Sequence, residues 1–242
     1  MQATDTLAAQ PPAGPAEPHS DRGAWLRDVI LGGQDGLVNV LGIVLGLAAA
    51  AATTKIILLA GMAATFAEAV SMGAVAYTSS LAERDHYLSE LARERREIHE
   101  IPDEERQEIR ELYAAKGFKG DLLEQIVDTI CSDEEVWVNV MMSEELQMQP
   151  VETSGVLRTS VVVTIACIIG SFVPLLPFWF FDRTPAVIVA IICSAVVLFG
   201  VGAYKAKSLV GDWRKSGVQM VVIGLGAALV GFIVGRIFNT TA

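Results

Sequence analysis

Two carboxylates stand where hydrocarbon ordinarily excludes charge. Asp35 heads an apolar run (GGQDGLVNVLGIVLGLAAAA), and Glu68 lies inside a second one (ILLAGMAATFAEAVSMGAVAY), with Met72 one helical turn further on. An ionisable group at membrane depth is costly and marks an ion or proton path by default. Gly32, Gly33 and Gly36 leave room beside Asp35, and Asn39 follows it by one turn. A carboxylate in such a place alternates between a neutral, protonated form and a charged, metal-bound one. Metal arrival expels a proton, and proton arrival weakens metal binding. That alternation is the chemistry of proton-coupled metal movement. The plainer alternatives are a buried hydrogen bond for Glu68, an interfacial anchor for Asp35 and apolar filler for Met72.

A second set of acids repeats at helical spacing. Glu94 and Glu97, and Glu105 and Glu108, are three apart; Met141 and Glu145 are four apart. Each pair shares one helix face. Where such faces converge, crowded carboxylates call for a cation, and a thioether beside them turns the preference away from Mg2+ and Ca2+ toward Fe2+ or Mn2+. Arg93, Arg95, Arg96, Arg106 and Arg110 offer the other explanation, solvated faces with paired charges. His86 and His99 lie nearby without a CxxC or HExxH context. A ferritin-like oxidase would need a pair of Glu-x-x-His motifs on separate helices, and the chain has a single such spacing, Glu83 to His86.

These groups need elements to hold them. The chain has 242 residues, 52% hydrophobic, with a net charge of −10. Residues 83–152 hold 20 acids against 8 bases, a balance of −12, and the remainder is +2. One acidic helical insertion therefore sits within a near-neutral apolar chain, and that sign excludes nucleic-acid binding. Five apolar segments, roughly 29–52, 56–80, 159–180, 186–206 and 218–238, are long enough to cross about 30 Å of hydrocarbon. The expected fold is all-α: a polytopic membrane protein of five transmembrane helices in the lipid bilayer. A disordered tail is expected over 1–24, the first two spans over 25–82, the acidic helical domain over 83–157, and spans three to five over 158–242.

Within the insertion, helices are expected up to the IPDEE break at 101–105, then to about Lys116, from Asp121 to Cys131, and from Asp133 to about Met148. Lys and Arg gather at one set of span ends (Arg22, Arg27, Arg84, Arg158, Lys205, Lys207, Arg214 and Lys215), which predicts a cytoplasmic N-terminus and acidic domain. Gly42-x-x-x-Gly46 and Gly231-x-x-x-Gly235 suit close helix or subunit packing. Cys167 and Cys193 read as small packing residues.

Four stretches carry a resemblance: GGQDGLVNVLGIVLGLA (32–48), AEAVSMGAVAYTSSLAERD (67–85), ERREIHEIPDEERQEIRELYAAKGF (94–118) and EELQMQP (144–150). In this order they resemble the vacuolar iron transporter family, which includes the nodulin-21-like proteins. The resemblance implies a transporter, not an enzyme, that exports Fe2+ from the cytosol in exchange for protons, with Mn2+ as another substrate and no prosthetic group. It implies a homodimer with the first spans near its axis. It assigns the transport pathway to Asp35, Glu68 and Met72. Metal binding in the acidic domain falls to Glu94, Glu97, Glu105, Glu108, Met141 and Glu145, with Met142 and Glu144 adjacent. The membrane would be the plasma membrane in a bacterium and the vacuolar membrane in a eukaryote. A membrane-anchored metal sensor or buffer is the alternative reading.

Overall fold

In the computed structural model, which describes residues 20–150, 153–208 and 211–239, α-helix dominates and no strand occurs among the described residues. The helices are α1 (Ser20–Ala49), α2 (Thr54–Glu100), α3 (Pro102–Ala115), α4 (Asp121–Cys131), α5 (Glu134–Val140), α6 (Thr153–Leu175), α7 (Pro177–Phe180), α8 (Arg183–Ser208) and α9 (Trp213–Asn239), with a π-helical turn at Met141–Glu145 after α5. Five of them are long and apolar enough to cross a membrane, over Trp25–Ala49, Thr54–Glu100, Gly155–Leu175, Arg183–Ser208 and Trp213–Phe238. The all-α expectation and the five spans agree with this. The expected N-terminal tail lies outside the described residues as far as His19, and α1 takes in residues 20–24.

Some boundaries differ from expectation, each for a local reason. The second span and the first acidic helix are one element, the 47-residue α2. No Gly or Pro occurs between Gly73 and Pro102, so nothing interrupts the backbone ladder. Pro102 then opens α3, where its missing N–H is no loss. The third span ends at Leu175 instead of Phe180; Pro174 lies in its last turn and Pro177 starts the separate α7. The helix expected to reach Met148 changes register at Met141, where Leu146 N–H bonds to Met141 O at 3.0 Å, and it ends at Glu145.

The chain divides into two compact units, Met1–Ala69 with Val162–Ala242, and Val70–Val161. In the first, α1 packs on α9 and α8 around a core that includes Val40, Leu41, Val44, Ile57 and Leu175. The two small-residue motifs meet: a β-carbon added at Gly46 would lie 2.9 Å from Gly231 O, and one added at Gly231 would strike Gly42. The α1 and α9 backbones therefore touch directly, which only glycine permits.

In the second unit, Ile98, Ile109, Val127, Trp137, Val138 and Met141 form the buried centre. Asp133 caps α5, its Oδ1 accepting from the N–H groups of Glu135 and Val136 at 3.0 and 3.2 Å. Ion pairs tie the helices at the surface: Arg95 to Glu135 at 2.8 Å, Arg110 to Glu124 at 2.8 Å, and Arg106 to Asp128. Several of the arginines thus pair with acids away from the predicted ligands.

Candidate functional site

The acidic unit brings the predicted carboxylates together. The i,i+3 pairs place Glu94 and Glu97 on one face of α2, and Glu105 and Glu108 on one face of α3. The helix break at Ile101–Pro102 lets those faces meet. One carboxylate oxygen each from Glu94, Glu97 and Glu105 lies within 4.8 Å of the others. Glu94 and Glu105 are each only 3% exposed, and Glu105 Oε2 is buried without a hydrogen-bond partner. Glu108 and Glu145 complete the charge field. Burial first, and then the charges of Glu108, Glu94, Glu97 and Glu145, push the Glu105 carboxyl up to about 7. Burial, then Glu108 and Glu94, push Glu145 up to about 7 as well. Burial also raises Glu94, against the pull of Arg93. Crowded acids half-neutralised at neutral pH are what a divalent cation would discharge.

Met141 is placed differently from a simple ligand reading. It is buried with Ile98 and Ile109 in the apolar centre. Each of these three stands one helical turn from a carboxylate: Ile98 from Glu94, Ile109 from Glu105, Met141 from Glu145. Glu94 and Glu105 thus rise from the edge of the apolar centre, which explains their burial, while Glu145 is exposed. Met142 lies in the same centre. Glu144 is engaged elsewhere, accepting from Tyr113 Oη at 3.2 Å and paired with Lys116. His86 faces Glu90 at 3.9 Å and His99 faces Glu134 at 3.4 Å, both exposed.

Sequence reasoning treated Arg93 only as one of several pairing arginines. Its guanidinium contacts Glu90 at 2.8 Å, Glu94 at 3.2 Å and Glu97 at 3.3 Å. It thereby supplies the positive charge that a metal would bring. Arg93→Ala is expected to tighten Mn2+ binding about fivefold, since partly exposed ion pairs of this kind are worth roughly 1 kcal/mol together. Isothermal titration of wild type and variant checks it; equal or weaker binding in the variant contradicts the competition.

The membrane-type unit holds a second polar group. Glu68 on α2 is half-buried, and its carboxyl lies beside Asn39 and Asp35 of α1. Its Oε2 is buried with no hydrogen-bond partner. Asp35 and Asn39 are exposed. They line a groove between α1 and α9 whose walls include Gly42, Gly46, Gly231 and Gly235. Met72, one turn after Glu68 on α2, falls in the other unit and is half-buried. Sequence reasoning passed over Asp28, a 6% exposed acid whose Oδ1 is 3.9 Å from Arg27 Nε. Its spacing of seven residues from Asp35, two helical turns, was the available signal.

Comparison with known proteins agrees in its range. The model of the VIT family matches residues 26–236. The chain is 34% identical over 220 residues to vacuolar iron transporter 2 of Oryza sativa, covering 89% of this chain and 88% of that protein. It is 30% identical over 222 residues to vacuolar iron transporter 1 of Arabidopsis thaliana, covering 91% and 89%. A vacuolar iron transporter of Plasmodium falciparum is 29% identical over 224 residues, covering 88% and 82%.

Proposed function

Because the chain belongs to the VIT family, a family of transporters and not of enzymes, we propose that this integral membrane protein moves ferrous iron out of the cytosol in exchange for protons, with Mn2+ as a second substrate. The observation that carries the reading is the group of Asp35, Asn39 and Glu68 within candidate spanning helices, with one Glu68 oxygen buried and unsatisfied. An unpartnered carboxylate oxygen at such depth is expensive. A proton or a metal ion removes the cost, and the two exclude one another there. Met72, one turn along α2, adds a soft ligand to the same path.

The acidic unit gathers the ion. Glu94, Glu97, Glu105, Glu108 and Glu145 bind it at the edge of the apolar centre, and Met141 supports the site from below or offers its thioether. The excess of Lys and Arg at one set of span ends supports a cytoplasmic placement for this unit and for the N-terminus. Delivery then runs from the acidic cluster to Asp35. Two copies act together: Asp35 and Asn39 are exposed on the single chain at membrane depth, and a second copy across the α1–α9 groove would cover them from lipid. The membrane is the plasma membrane in a bacterium and the vacuolar membrane in a eukaryote.

Proteoliposome uptake of Fe2+ and Mn2+ under an imposed pH gradient tests the reading. Flux that rises with the gradient and collapses with a protonophore supports exchange. Flux indifferent to the gradient removes the coupling.

A further inference from the structure

The base-rich ends of α1, α8 and α9 enclose two adjoining hollows in the membrane-type unit. One, of about 420 Å3, runs between α1 and α9 and is walled mainly by Leu26, Ile30, Leu31, Val38, Ile223 and Gly224. Along α1 it extends from Gly23 to Val38, about 22 Å of helix. Asp35 borders it at depth, and Arg27 and Lys205 border it near the helix ends. The other, of about 230 Å3, lies where α8 gives way to α9, among Lys205, Asp212, Lys215, Ser216 and Gln219. Lys205 borders both, so a polar chamber adjoins an apolar one. Asp212 is already engaged: its Oδ1 accepts from the N–H groups of Arg214 and Lys215 at 2.9 and 3.4 Å and caps α9. Lys205 and Lys215 are exposed, and no acid pairs with either ammonium among the described residues. Two tryptophans mark the depth. Trp25 on α1 and Trp213 at the start of α9 are 45% and 48% exposed. Trp213 stands edge-on to Phe199, and the Arg214 guanidinium lies over its ring at 5.1 Å. Half-exposed tryptophans at span ends sit at the level of the lipid headgroups.

We propose that the two hollows hold one anionic phospholipid, its phosphate in the Lys205–Lys215 chamber and one acyl chain running past Arg27 into the α1–α9 hollow. Charge decides the class of lipid. At headgroup level three bases, Arg27, Lys205 and Lys215, face the hollows against the single acid Asp212. A zwitterionic headgroup brings its own cation and adds to that excess; an anionic one cancels it. Each base held near an anionic headgroup is worth about fivefold in affinity, so the two lysines together give about tenfold after screening by salt. Shape supplies the rest, because an acyl chain fills space that the spans leave open and gains contact along both walls. The lipid reaches only as far as Asp35, so the deeper groove along Gly42 and Gly46 is left for the second copy proposed above. The inference needs spanning helices and does not depend on the transport reading.

The test uses full-length protein in a neutral detergent, with native mass spectrometry counting bound lipid. Phosphatidylglycerol is compared with phosphatidylcholine of the same acyl chains. Wild type is expected to take one phosphatidylglycerol per chain, about tenfold more tightly than phosphatidylcholine. K205Q/K215Q should abolish that preference. K207Q/R214Q removes as much charge from the same span ends but outside both hollows, and should keep it. L31W fills the apolar hollow and should weaken both lipids. All five positions are exposed, and an unchanged elution volume on size exclusion shows that each variant is folded. Equal binding of the two lipids by wild type overturns the proposal. So does a preference that survives K205Q/K215Q, or one lost as fully in K207Q/R214Q, which would be diffuse surface charge. Binding unaltered by L31W, or displacement by glycerol phosphate at the lipid's own concentration, removes the acyl-chain seat and with it the lipid.

Discussion

Asp35→Ala is expected to cut gradient-driven Fe2+ uptake by proteoliposomes about a hundredfold while Mn2+ binding by the acidic unit persists. An uncompensated charge inside a span costs roughly 2.5–3.5 kcal/mol on insertion scales, a cost that a carboxylate beside a passing dication offsets, and about 1.4 kcal/mol corresponds to a factor of ten in rate. A dication that loses this carboxylate on α1 meets a barrier of that order. The side chain is exposed on the single chain, so its removal opens no cavity within one copy; persisting Mn2+ binding and an unchanged oligomeric state separate loss of flux from loss of fold or assembly. Uptake within twofold of wild type would show that Asp35 lies off the path. It would also favour a role in which the spans merely anchor a metal-sensing or buffering unit.

The metal affinity of the acidic unit should climb steeply between about pH 6 and pH 8. Glu105 and Glu145 both titrate near 7, raised from 4.5 by burial and by their acidic neighbours. A group whose pKa is raised by folding holds its proton in the folded unit at pH values where the unfolded chain has released it. Its stabilising contribution is therefore complete below about 4.5 and is lost as pH rises through about 7. The metal-free unit should become less heat-resistant across that window. The metal must expel these protons, so binding strengthens over the same window, by up to about two orders of magnitude per pH unit at the acid end when both protons leave. Mn2+ calorimetry and thermal unfolding from pH 5.5 to 8.5 follow both limbs. Glu105→Gln should remove about one proton from the slope and weaken binding at least tenfold at pH 8. Affinity independent of pH would separate these two acids from the metal.

Much of this arrangement is legible in the residues themselves. Glu94 with Glu97 and Glu105 with Glu108 share faces through helical periodicity alone, and the Ile-Pro break at 101–102 tells where the second face turns toward the first. The spans are legible because hydrocarbon thickness fixes their length. The continuity of α2 was also readable, since its course from Gly73 to Pro102 lacks any breaker. Three features were not. The grip of Arg93 on three acids depends on side-chain torsions, which spacing does not encode. The π-helical turn at Met141–Glu145 is a choice of hydrogen-bond partner, Leu146 to Met141, between sequences that α-helix would also accept. The contact of Gly36 with Cys167 and Ser171 arises from packing between α1 and α6, and neither helix announces its partner.

The interlock of Gly42 with Gly231 and of Gly46 with Gly235 has a consequence for motion. Backbone rests on backbone there, with no pliable side chain between to lengthen or swing. Sliding α1 along α9 by even a residue would drive Cβ-bearing neighbours into carbonyls. The pair behaves as a stator. On the proposed transport reading, the wall bearing Asp35 and Asn39 keeps its place against α9, and any movement that opens a path falls to the other helices.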